Sequence, residues 1–108
     1  MSPVVLTASE SEQQQRRVAG SLTALGAVEG DRIVLALPGS ASYVSVVLGA
    51  LRLGIVPVPL DPRLTTHERD VIVDDVAPVL VIDELVGLDS LLGGPEAELG
   101  DVPRCRPM

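Results

Sequence analysis

The apolar positions are densest in the middle of the chain. Residues 33–37 are a continuous aliphatic run, followed by a turn at Pro38, Gly39 and Ser40. Residues 42–53 then carry Val44, Val46, Val47, Leu48, Ala50, Leu51 and Leu53 at helical spacing, and Gly54 closes the segment. A second β-rich run, residues 56–60, leads into Asp61-Pro62. Strand, turn, helix and strand form a βαβ unit, because parallel strands need a crossover of this length. The helix is apolar almost all round, which predicts burial on more than one side.

The flanking segments show weaker periods. Val4 to Leu6 predicts a short first strand. Ser9-Glu10-Ser11-Glu12 fits a capping box with Ser9 as N-cap and Glu12 reaching back. The helix that follows is expected over residues 10–25, with Val18, Leu22 and Leu25 on one face and Gln13, Gln14, Arg16 and Arg17 mostly on the other. Gly26 stops it, and Glu29-Gly30-Asp31 is a turn. In the second strand, Pro57 and Pro59 are two residues apart, so both delete donors on the same side and predict an edge. Thr65 and Glu68 make a second capping box for a helix over residues 66–76, with Val71, Ile72 and Val76 inward and Pro78 beyond its end. Residues 79–82 read as a strand and residues 84–92 as a short helix. From Gly93 the chain has no period. The expected architecture is α/β: a mainly parallel sheet with flanking helices over residues 1–92, then an irregular tail over residues 93–108.

Composition narrows the function classes. With 46% hydrophobic residues among 108, the chain can bury a core, so it is read as one domain or part of a larger one. No apolar run approaches the roughly 20 residues that span a bilayer, and residues 1–10 lack the basic start and apolar core of a signal peptide. A net charge of −7 argues against a general nucleic-acid binder, whose affinity comes from cations neutralising phosphates. The single cysteine, Cys105, excludes an intrachain disulfide and fits a cytoplasmic protein. All eight basic residues are arginine, and Tyr43 is the only aromatic, so the core is expected to be aliphatic.

Candidate chemistry is sparse. A structural zinc site needs about four Cys or His ligands, and only His67 and Cys105 are present. His67 is expected to face solvent at a helix start, where imidazolium is disfavoured. Gly39 and Ser40 lie where phosphate loops occur, but the P-loop glycines and lysine are missing, so an ordinary turn capped by Ser40 or Ser42 is the expectation. Gly49 reads as a close-packing point. Asp74 and Asp75 point in different directions on a helix and read as a solvated end, although carboxylates oppose the dipole there. Cys105 between Arg104 and Arg106 could have a lowered pKa, but a tail thiol without a role is expected. No catalytic, cofactor-binding or metal-binding residue is assigned.

Several pieces then fall into a familiar order. Leu25-Gly26, Gly30-Asp31-Arg32-Ile33, the segment from Leu37 to Gly54, Val58-Pro59-Leu60-Asp61-Pro62, and Arg63-Leu64-Thr65 with Glu68 resemble the start of the adenylate-forming superfamily. That group comprises acyl-CoA synthetases, fatty-acyl-AMP ligases and peptide-synthetase adenylation domains, and the resemblance covers about two-thirds of the chain. It departs at Leu6-Thr7, where the aromatic of the family's first motif is missing. The resemblance implies the N-terminal subdomain of an enzyme that converts a carboxylate and ATP to acyl-AMP, then usually to a CoA thioester. ATP, magnesium and CoA are implied for the full-length family. The family's phosphate loop and its lysine, its ribose-binding aspartate, its magnesium-associated acid and its catalytic lysine have no matching positions, so no role is carried over. The expectation is an N-terminal fragment of an acyl-CoA synthetase, inactive alone. It would be partnered by the rest of the enzyme or by a second copy, with no nucleic-acid partner. The alternative is a non-catalytic α/β interaction module or truncated gene product.

Overall fold

The structure is a computed structural model and describes residues 7–97. Its elements are α1 (Ala8–Ala24), β1 (Arg32–Leu35), α2 (Ala41–Arg52), β2 (Val56–Pro59), α3 (Thr66–Val76), β3 (Leu80–Ile82) and α4 (Leu85–Leu92). The strand predicted at Val4 to Leu6 and the tail beyond residue 97, Cys105 included, lie outside the described residues.

The three strands are parallel in the order β2-β1-β3. The chain steps from β1 to β2 through α2, then back across β1 to β3 through α3. Right-handed crossovers in opposite directions put α2 and α3 on opposite faces of the sheet. Ile33, Val34 and Leu35 of β1 are all fully buried, as expected of a central parallel strand covered on both sides. Ile33 and Leu35 join Val18 and Leu22 of α1, Val46 and Ala50 of α2, Ile82, and Leu88 and Leu91 of α4 in the main core.

The β2 edge follows from its prolines. The amides of Val56 and Leu60 donate to Asp31 and Leu35 carbonyls, each at 2.8 Å. Even-numbered residues therefore face β1, and Pro57 and Pro59 present their donor-free nitrogens to the open side.

Five expectations change. Helix α1 is capped by Thr7, not Ser9: the Glu10 amide donates to the Thr7 hydroxyl at 3.1 Å. Two overlapping Thr/Ser-x-x-Glu patterns compete here, and Glu12 is drawn away to Arg16 and Arg52. Leu25 is the C-cap and 65% exposed, so the apolar face of α1 is buried only as far as Leu22. Gln14 does not face solvent alone, since its side-chain oxygen accepts from the buried Ser45 hydroxyl at 2.6 Å. Helix α2 is buried along Ser45, Val46, Gly49 and Ala50, but Val44, Leu48 and Leu51 stand open, because no described element covers that side. Helix α3 buries none of its residues: Val71 is 56% exposed, and Ile72 and Val76 are half-buried.

Candidate functional site

In open parallel sheets, ligands bind beyond the carboxyl ends of the strands. In this chain that end is built by the loops after β1, β2 and β3. After β1, Ser40 caps α2, its hydroxyl accepting from the Tyr43 amide at 3.1 Å, so Ser40 rather than Ser42 is the cap. Gly39 does not have the positive φ of a phosphate cradle; those glycines are Gly26, Gly30 and Gly54. The turn is an ordinary helix start.

After β2, Asp61 and Arg63 form a bidentate pair: the guanidinium donates through Nε and Nη2, both at 3.1 Å, and the Arg63 amide adds a bond at 2.9 Å. These bonds hold the Asp61 carboxyl below the usual carboxylate range, the side-chain pair contributing most. At the start of α3, Glu68 is held low by the Thr65 amide, which donates to it at 3.0 Å in the expected capping box. His67 is exposed, as the sequence predicts. After β3, Asp83 accepts from Arg69 at 2.9 Å. Arg63 and Arg69, which follow β2 in the loop and in α3, are thus each matched by a carboxylate. The four side chains sum to no net charge and offer no phosphate a positive focus.

A second polar cluster lies between α1 and α2, on the main-core side. Arg52 closes α2 with its side chain only 6% exposed and reaches Glu12, while Glu12 also accepts from Arg16 at 3.0 Å. Gln15 adds an acceptor to Arg52 at 3.3 Å. The guanidinium of Arg52 is the main cause that keeps the Glu12 carboxyl below its ordinary value. Beside it runs a groove of about 440 Å³ lined by Ser9, Glu10, Glu12, Gln13, Arg16 and Glu96. With Glu12 and Arg16 already bound to each other, the cluster fastens two helices. Among the described residues no group of three His, Cys, Asp or Glu side chains could hold a metal. Asp74 and Asp75 are exposed and diverge, and Arg32 offsets them by donating to the Val76 carbonyl at the same helix end at 3.0 Å.

The sequence patterns missed the Glu12–Arg52 pair. Its only signal is a lone arginine ending an otherwise apolar helix, which needs a carboxylate if that end is buried.

Comparison with known proteins supplies what the site does not. The family model described as AMP-binding enzyme matches residues 2–102. The chain is 33% identical over 103 residues to the long-chain-fatty-acid–CoA ligase FadD13 of Mycobacterium tuberculosis, covering 95% of this chain and 19% of that protein. It is 36% identical over 91 residues to the L-proline–[L-prolyl-carrier protein] ligase of Pseudomonas fluorescens, covering 84% of this chain and 18% of that ligase. Among solved structures, a Mycobacterium tuberculosis fatty acyl CoA synthetase superposes with a TM-score of 0.75 at 27% identity, over 94% of this chain and 25% of that one. The chain therefore spans about a fifth of the length of its curated relatives. A parallel sheet with these crossovers and a match over nearly every residue make one assignment: the chain belongs to the AMP-binding enzyme family.

Proposed function

We propose that the chain is the N-terminal scaffold portion of an ATP-dependent acyl-CoA synthetase acting in fatty acid metabolism in the cytoplasm. The observation that carries this reading is the family match over residues 2–102, with fatty-acid ligases among the relatives. In the parent reaction a carboxylate attacks ATP to give acyl-AMP and pyrophosphate, and a thiol then takes the acyl group. The portion in hand contributes a sheet, three core helices and the strap-like α3. Residues 1–92 form the subdomain and residues 93–108 a connecting tail. In support, no helix or strand occurs over residues 93–97. The open faces are where the rest of the enzyme, or a second copy, packs. Among the described residues no helix is long and apolar enough to cross a membrane.

The chain alone does not form acyl-adenylates. Stabilising phosphate charge needs positioned cations and magnesium. Arg63 and Arg69 are already paired with Asp61 and Asp83. Titration with Mg-ATP is expected to show nothing tighter than about millimolar, roughly 4 kcal/mol. Pyrophosphate exchange over several fatty acids is expected to stay at background. Carboxylate-dependent exchange by the purified 108-residue chain would overturn the scaffold reading.

A further inference from the structure

Helix α3 is attached to the sheet unlike the other helices. It buries none of its own residues, whereas α1, α2 and α4 each bury at least two. Two arginines hold it near its ends. Arg32, on the exposed first position of β1, donates to the Val76 carbonyl at 3.0 Å. Arg69, one turn into the helix, pairs with Asp83 just past β3 at 2.9 Å. Arg32 stands two residues before Val34 and Asp83 two residues after Val81, so all four share the face opposite the main core. Val34 pairs with Val58 on one side and Val81 on the other, which makes a row of three valines across that face. Val34 is fully buried there.

The bonds that hold the helix itself are local. Its capping box is local: the Thr65 amide donates to Glu68 at 3.0 Å and the Glu68 amide to Thr65 at 3.2 Å. At the other end Ala77 sits in the left-handed region, φ 50° and ψ 57°, immediately before Pro78, giving a sharp break between α3 and β3. Undocking therefore exposes Val34, loses the half-buried contacts of Ile72 and Val76 and breaks two charged bonds, but costs few helical ones. Regions with few buried contacts open separately from the core.

We propose that α3 is a charge-held strap that opens as a unit, independently of the main core, and in opening exposes the Val58–Val34–Val81 row to solvent. Because solvent-exposed ion pairs are screened by salt, the strap loosens as ionic strength rises. The apolar contacts of α1, α2 and α4 do not share that dependence.

Hydrogen–deuterium exchange of the full chain tests this, read separately over α3, α2 and β1. The expected result has α3 amides exchanging faster than those of α2 and β1. Raising salt, or substituting Arg69→Gln or Arg32→Gln, accelerates α3 about two- to fivefold, the range of an exposed ion pair, with β1 unchanged. Arg16→Gln, on α1, leaves α3 as it was. The salt arm needs no variant, so it decides the matter even where a substitution impairs folding. If α3 exchanges in step with β1, or if neither salt nor the Arg69 and Arg32 substitutions accelerate it selectively, α3 is an ordinary part of the core and the strap is overturned.

Discussion

At the residue scale, two contacts between α1 and α2 fix the core, and only one was legible. Gly49 reads from the sequence as a close-packing point, and a Cβ there would come within 2.8 Å of the Val18 side chain and 2.9 Å of the Gln15 carbonyl. Backbone cannot give way, so Gly49→Ala is expected to destabilise the fold by roughly 1–3 kcal/mol, the usual cost of overpacking. The midpoint of urea unfolding measures it; an unchanged midpoint would mean that the helices can separate freely. The sequence marks Glu12 as a capping residue, because spacing shows only local partners and Arg52 lies forty residues away. Its carboxylate is 37% exposed while Arg52 is 6% exposed, which places the pair between a surface and a buried one. Glu12→Gln should therefore cost about 1–3 kcal/mol. The carboxyls of Glu12, Asp61 and Glu68 are all held low when folded. Unfolding restores their ordinary affinity for protons, so acid favours the unfolded chain. Stability is expected to be level above about pH 5 and to fall as the pH drops below about 4.5. The fall should be shallower in Glu12→Gln than in the parent protein.

At the element scale, what the sequence shows is determined by what lies within one element. The Thr65–Glu68 cap and the β2 edge rest on local chemistry, and both hold. Burial of a helix face depends on what packs against it, which a 3.6-residue period does not reveal. That is why Val71 and Leu25, placed inside by the period, stand 56% and 65% exposed. The prolines of β2 have a consequence beyond position. Because Pro57 and Pro59 turn outward, the open side of β2 offers carbonyls but lacks two consecutive amides. An edge of this kind resists pairing with another strand. A double Pro57→Val, Pro59→Val variant restores both donors on a β-prone edge without touching the main core. It should aggregate faster by light scattering, with far-UV dichroism near that of the parent. Equal aggregation rates would show that some other feature protects the edge.

At the scale of the whole molecule, the prediction that α2 is buried on several sides meets a structure in which one side is open. Val44, Leu48 and Leu51 recur along α2 at 53%, 38% and 49% exposure. Leu85 and Val86 on α4 add 65% and 64%. The sequence reported a helix shaped for a larger enclosure, consistent with a chain that spans about a fifth of its relatives. For the chain alone, a second copy is the partner always at hand. At roughly 25 cal/mol per Å², even about 400 Å² of aliphatic surface corresponds to some 10 kcal/mol of unfavourable hydration. Association loses translational and rotational freedom of comparable size, so the net affinity is modest. Repulsion between copies of net charge −7 opposes it further and is screened by salt. The expected outcome is a reversible dimer or higher oligomer at micromolar concentration that tightens as salt is added. Leu48→Glu, which places a charge in the middle of the open stripe, should return it to monomer. Sedimentation velocity across that range distinguishes the cases: a compact monomer at every concentration and salt level would mean that the open face of α2 is tolerated in water.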